Sequence, residues 1–152
     1  MDLDINTAED GRWFTFFYSH LDPNTSEPIY DDPIENGPQM KIRNPAPFWK
    51  EQSEKKKMET RMVVNPKTHV MNAVQVEVKL TPEQQKAEHE GFVDYTIQGV
   101  KQFKLNGKEM KATLQDKVKA FENPLVSMFV VRCVQILQES GIQEVAAEIK
   151  NS

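Results

Sequence analysis

One cysteine, Cys133, is all the thiol the chain carries. A lone thiol forms no internal disulfide, so the fold is expected to rest on packing rather than cross-links, as in cytosolic proteins. Cys133 sits in the apolar run Leu125-Val126-Ser127-Met128-Phe129-Val130-Val131-Arg132-Cys133-Val134-Gln135-Ile136-Leu137. That context predicts a small buried hydrophobe, because a nucleophile needs a neighbour that lowers its pKa. The six glycines stand apart at 11, 37, 91, 99, 107 and 141, which excludes a glycine-rich phosphate loop. Histidine is equally sparse: His20, His69 and His89 are far apart, with no HExxH or CxxC spacing, and no metal or cofactor is expected. No apolar run nears the ~18 residues that cross a bilayer, and the opening Met1-Asp2-Leu3-Asp4-Ile5-Asn6 lacks the basic and apolar character of a secretory signal.

Basic residues are missing from one region. Residues 1–38 hold nine acids against Arg12, a balance of −8, whereas the remaining 18 basic and 14 acidic residues leave +4. An overall acidic chain with scattered lysines has no concentrated basic face, so nucleic acid is not an expected partner. No GxSxG element appears, and Asp31-Asp32 lies in a proline-rich stretch that leaves carboxylates solvated. No catalytic centre is expected. A concealed one would need a deep pocket gathering groups such as Glu88, His89 and Asp94.

What is present is ordinary globular material: 152 residues, 38% hydrophobic and 28% charged, enough for one domain with a real core. The pattern predicts an α+β fold, with N-terminal antiparallel strands and hairpins and a C-terminal helical part over 81–150. The aromatic run Arg12-Trp13-Phe14-Thr15-Phe16-Phe17-Tyr18 reads as a strand covered on both faces or forming an interaction edge. Residues 20–38, with four prolines and many acids, read as an extended acidic loop or arm, after which Met40-Lys41-Ile42-Arg43 alternates as a strand pairing back on the first. Phe48 to Met62 reads as a polar helix steadied by Glu51–Lys55 and Lys55–Glu59, with Lys55-Lys56-Lys57 on its solvated face.

Met62-Val63-Val64, the turn Asn65-Pro66-Lys67-Thr68, and Ala73 to Leu80 form a hairpin signal, with Val74, Val76, Val78 and Leu80 on one side. Thr81-Pro82-Glu83-Gln84 starts a helix by a capping box. It is expected to reach about Ile97, with Ala87, Phe92 and Tyr95 on its apolar face. Asn106-Gly107 marks a type I′ hairpin within 103–110, and Thr113 caps a helix with Val118 and Phe121 turned inward. Pro124 opens an apolar helix, with Leu125, Met128, Phe129, Arg132, Cys133, Ile136 and Leu137 on one face and Ser140-Gly141 as its stop. An amphipathic tail of Ile142, Val145, Ala146 and Ile149 follows.

With chemistry absent, surfaces remain. The candidate protein interface is Trp13, Phe14, Phe16, Phe17, Tyr18, Asp31, Asp32, Met40, Ile42 and Trp49, because aromatics are enriched in contact patches. The order Gly11-Arg12-Trp13-Phe14, Gly37-Pro38-Gln39-Met40-Lys41-Ile42-Arg43, a lysine-rich helix, the hairpin Phe103-Lys104-Leu105-Asn106-Gly107-Lys108-Glu109-Met110, and Thr113 to Leu125 leading into an apolar helix resembles small tailed-bacteriophage morphogenesis proteins of the tail assembly chaperone type. The resemblance spans about residues 11–138, with Gly99-Val100 standing where that pattern commonly has a tryptophan. It implies a non-enzymatic protein that binds the tape measure protein or other tail components in the host cytoplasm, with no membrane partner and with a homo-oligomer as an open possibility. Two alternatives stay open: a structural virion protein of the tail or head–tail junction, and a cellular protein-binding adaptor.

Overall fold

The computed structural model describes residues 11–55 and 58–151, with side chains through 140. Its mixed α+β architecture, with antiparallel strands first and helices later, is the expected class. The acids of residues 1–10, the lysines Lys56 and Lys57, and the side chains of the expected 142–149 stripe lie outside the described residues.

Strand β4 (Gln39–Ile42) is the middle of the main sheet, between β1 (Arg12–Thr15) and β7 (Ile97–Lys101). Both pairings are antiparallel, and Phe14, Met40 and Val100 fall in register on one face. That face turns to the core: Met40 and Ile42 are fully buried. Strand β7 was not expected, because it follows helix α2 (Pro82–Thr96) with no linker and no turn signal. The chain simply switches at Ile97, which is already extended. Arg43 secures this junction: its backbone N–H donates to the Thr96 carbonyl, and its Nε donates to the Tyr95 carbonyl at 2.5 Å. A cation there also complements the negative end of the helix.

The expected strand 12–18 ends at Thr15, and this has a consequence. Beyond Thr15 the backbone leaves regular extension, so the consecutive Phe16 and Phe17 both turn inward and meet Phe129, with centroids at 5.1 and 4.9 Å. The 20–38 stretch is not a plain loop either. β2 (Ser19–Leu21) and β3 (Pro28–Tyr30) pair as a hairpin whose turn is fixed by Asp22, which accepts from the Asn24 and Ser26 N–H groups.

Helix α1 covers only Ala46–Glu54. The expected continuation to Met62 fails because Met58 onward pairs as a strand and the β-rich Thr60, Val63 and Val64 follow their tertiary partner. Glu51–Lys55 forms at 3.0 Å, whereas Glu59 is drawn into a strand beside Arg61. Helix α2 begins as read: Thr81 and Gln84 exchange side-chain and backbone bonds in a capping box. Its buried residues are Val93 and Thr96, while Ala87 is exposed and Phe92 and Tyr95 are half-buried. Gly91 has a local reason, since a Cβ there would sit 3.2 Å from the Phe48 ring.

The hairpin β8 (Lys104–Leu105) and β9 (Lys108–Glu109) turns through Asn106 and Gly107, both at positive φ. Helix α3 (Leu114–Phe121) is capped by Thr113 as expected, but buries Lys117 and Ala120, leaving Val118 and Phe121 half-buried. Buried Lys117 donates to the Asp94 carboxylate at 3.0 Å and to its carbonyl at 3.1 Å, tying α3 to α2. Helix α4 (Pro124–Asn151) turns 101° from α3 and does not stop at Ser140-Gly141. A helical glycine costs only about 1 kcal/mol, and no proline enforces an end there. Its buried stripe is Val126, Phe129, Val130 and Cys133, one step round from the face expected; Leu125 is exposed.

Phe129 is the hub of the core, so Phe129→Ala should lower the unfolding free energy by about 3–5 kcal/mol. Chemical denaturation measures this.

Candidate interaction arm

Between α1 and α2 the chain makes a two-stranded ribbon, β5 (Met58–Val64) and β6 (Met71–Glu77), paired without register shift. Seven extended residues span about 24 Å. Every residue from 58 to 77 is exposed except Val76, which is half-buried. Directly opposed residues share a face, so one face holds Met58, Thr60, Met62, Val64, Met71 and Ala73, and the other holds Val63, Val74, Val76, Glu59 and Arg61. The alternation of Val74 and Val76 therefore marks a real strand, ending at Glu77 rather than at the expected Leu80, whose apolar side joins no part of the core cluster.

The tip is closed by local bonds. Asn65 N–H donates to the Val70 carbonyl at 2.9 Å, His69 N–H donates back to the Asn65 carbonyl at 2.8 Å, and the Asn65 side chain accepts from Lys67 N–H. At the root, Trp49 of α1 stacks on Phe92 of α2 at 5.4 Å, and Phe92 meets Phe121 of α3 at 6.1 Å. This aromatic seam holds both ends of the ribbon. A cleft of about 400 Å³ opens beside it, lined by Trp49, Gln52, Val78, Leu80, Gln84 and Glu88 among others.

The sequence-derived interface divides. Phe16, Phe17, Met40 and Ile42 are core residues and are withdrawn from any contact surface, because they fill the space between β4 and α4. Phe14 is half-buried against the same core. Trp13 stays 41% exposed on the opposite sheet face, with Lys101 Nζ 4.1 Å from its ring centroid. Tyr18 and Trp49 are exposed. Asp31 and Asp32 are exposed on the β2–β3 side, where Asp31 lies 3.6 Å from His20. That hairpin is docked rather than free: Arg132 covers the Tyr30 ring and Ser19 Oγ contacts Met128 Sδ at 3.6 Å. The methionine-rich arm was missed as a site. Its signal lay in valines and methionines on both sides of a hairpin too long for its surroundings.

The residues named for a concealed catalytic pocket do not converge. Glu88 lines the root cleft, His89 packs against the Phe121 ring, and Asp94 is taken by Lys117. Among the described residues no group of three or more His, Cys, Asp or Glu side chains is placed to hold a metal ion. Among them, too, no single helix is long and apolar enough to cross a membrane. Cys133 is fully buried, and burial pushes its thiol from 9.0 up to about 12 despite the opposing charges of Arg132 and Arg12. No family model, curated protein or solved structure matches this chain.

Two outcomes are expected. Val63→Asp on the arm should leave the melting temperature nearly unchanged, whereas Phe16→Asp should unfold the domain; thermal melts by circular dichroism separate them. The second concerns pH. The folded thiol keeps its proton to a higher pH than the unfolded one, so its contribution is complete below about 9 and is lost as pH rises toward about 12. Denaturant midpoints should fall across that window in the native chain and fall less in Cys133→Ala.

Proposed function

We propose that this chain is a non-enzymatic binding protein of tailed-phage morphogenesis, a tail assembly chaperone whose β5–β6 arm engages an apolar segment of the tape measure protein or another tail component. The observation that supports this reading is the arm itself. Met58, Met62, Val63, Val64, Val70, Met71 and Val74 are all exposed on one projecting element. A two-stranded ribbon is marginal in water unless something covers it. Unbranched methionine adapts its shape to different apolar partners, which suits a surface that holds a client temporarily. The 20 residues from 58 to 77 also match the 20–30 a standard interface uses on each side. The tail-assembly context comes from the resemblance of the sequence pattern alone.

A second reading, a structural component of the tail or head–tail junction, is favoured by the arm being preformed strand whose β5 edge pairs with no other strand among the described residues and could take one from a neighbouring subunit.

Fractionation tests both. A chaperone co-purifies with tail proteins from cells in which particles are being built and is missing from purified virions; a structural protein is found in the virions. Replacing residues 58–77 by a short Gly/Ser linker should abolish co-purification and leave the core melting transition in place. Failure to associate with any tail protein in either fraction would remove the proposal.

A further inference from the structure

The free edge of β5 has a property that the arm's faces do not. Asn65 N–H donates across the ribbon to the Val70 carbonyl, the bond that flanks a non-bonded Val64–Met71 pair. In an antiparallel ladder such pairs alternate, and the β5–β6 register is unbroken. The pairs 63/72, 61/74 and 59/76 are then also bonded across the ribbon. The N–H and C=O groups of Met58, Thr60, Met62 and Val64 therefore point outward, along an edge that no other strand occupies among the described residues.

We propose that two copies of this chain associate along this edge, β5 against β5, antiparallel about a two-fold axis at Thr60. The choice of partner and register follows from charge. Two copies related by a two-fold axis pair each residue with its mirror about the axis position. An axis at Glu59 sets Glu59 against Glu59, and one at Arg61 sets Arg61 against Arg61; like charges directly opposite are unfavourable. An axis at Met62 leaves Arg61 facing Val63. Only at Thr60 does Glu59 of each copy face Arg61 of the other, with Thr60 opposite Thr60 and Met58 opposite Met62. The same axis joins the outward backbone groups of Thr60, Met58 and Met62 to one another. The edge of β6, with Met71, Ala73, Gln75 and Glu77, offers no register that pairs opposite charges.

The groups are free to respond. Glu59 and Arg61 lie 3.5 Å apart on one strand, both more than half exposed. Such an exposed pair contributes little, so exchanging it for two pairs across the axis loses little. The product is a four-stranded sheet in place of a ribbon, which passes the roughly three strands a sheet needs for stability of its own. It leaves the methionine face continuous across both copies. This association does not rest on the tail-assembly reading and stands or falls separately.

Sedimentation velocity over a concentration series tests it. The native chain should show a reversible dimer of twice its 17.5 kDa mass. Glu59→Arg alone and Arg61→Glu alone should each weaken the dimer by about tenfold or more, since both symmetric pairs become repulsive. An equimolar mixture of the two variants should recover it, because every 59–61 pair is then attractive, and so should the doubly reversed chain. Thr60→Pro should abolish the dimer while sparing the ribbon, as the N–H it removes faces outward. A native chain that is monomeric throughout, single variants that dimerise like the native chain, or a mixture and double variant no stronger than the singles would each overturn the proposal.

Discussion

The contact between the central strand β4 and helix α4 carries the rest of the structure. Met40 and Ile42 on one side, and Phe129, Val130 and Cys133 on the other, have no solvent exposure at all. Each such side chain contributes roughly 1.5–3 kcal/mol on burial. Because β4 is flanked by β1 and β7, this one layer fixes three strands at once. Phe129 then reaches beyond it to Phe16 and Phe17, which draws the chain out of the sheet after Thr15 and starts the β2–β3 hairpin over α4. The acidic N-terminal region thus gains a definite seat. Tyr30 and Ser19 face α4, and Glu27, Asp31 and Asp32 are exposed to water.

A second layer, less buried, governs the arm. Trp49, Phe92 and Phe121 link α1, α2 and α3, and the Lys117–Asp94 pair reinforces the last junction. The two ends of the ribbon leave from the first two of these helices. The seam joins the helix before the ribbon to the helix after it, and the described residues 58–77 are exposed apart from half-buried Val76. Asp22, Glu27 and Asp31 lie on or beside the β2–β3 hairpin that docks on α4, whereas the exposed methionines and valines from Met58 to Val74 lie on the arm.

Much of the fold was legible where local chemistry acts alone. Thr81 with Gln84, Thr113 with Asp116, and Asn106 with Gly107 each encode a cap or turn through atoms a few residues apart, and each forms as read. The failures share a different cause. Residues 58–62 carry methionine, glutamate, threonine and arginine, a mixture that does not exclude a helix, and become strand only because β6 is there to pair with. Ile97 to Lys101 becomes strand because β4 has a vacant edge. For the site, aromatic richness pointed at Phe16, Phe17, Met40 and Ile42, yet period and composition do not distinguish a surface from the core that a crossing helix covers. The reverse held for Val74 and Val76: alternation revealed the strand without revealing that it lies outside the core.

An exposed apolar ribbon is a hazard as well as a tool, since free strand edges recruit further strands without limit. Here the edge carries its own restriction. Glu59 and Arg61, two residues apart on the same face, make the registers centred on either of them repulsive, whereas a register centred on Thr60 sets each opposite the other's charge. A symmetric pairing consumes the β5 edge of both copies, so growth from that edge stops at two. The other edge bears Glu77 near the root, and the tip bears Lys67 and the backbone turn around Asn65. In the proposed pairing the same two charges, which look incidental on an open strand, favour one closed contact while the methionine face stays available to a different partner.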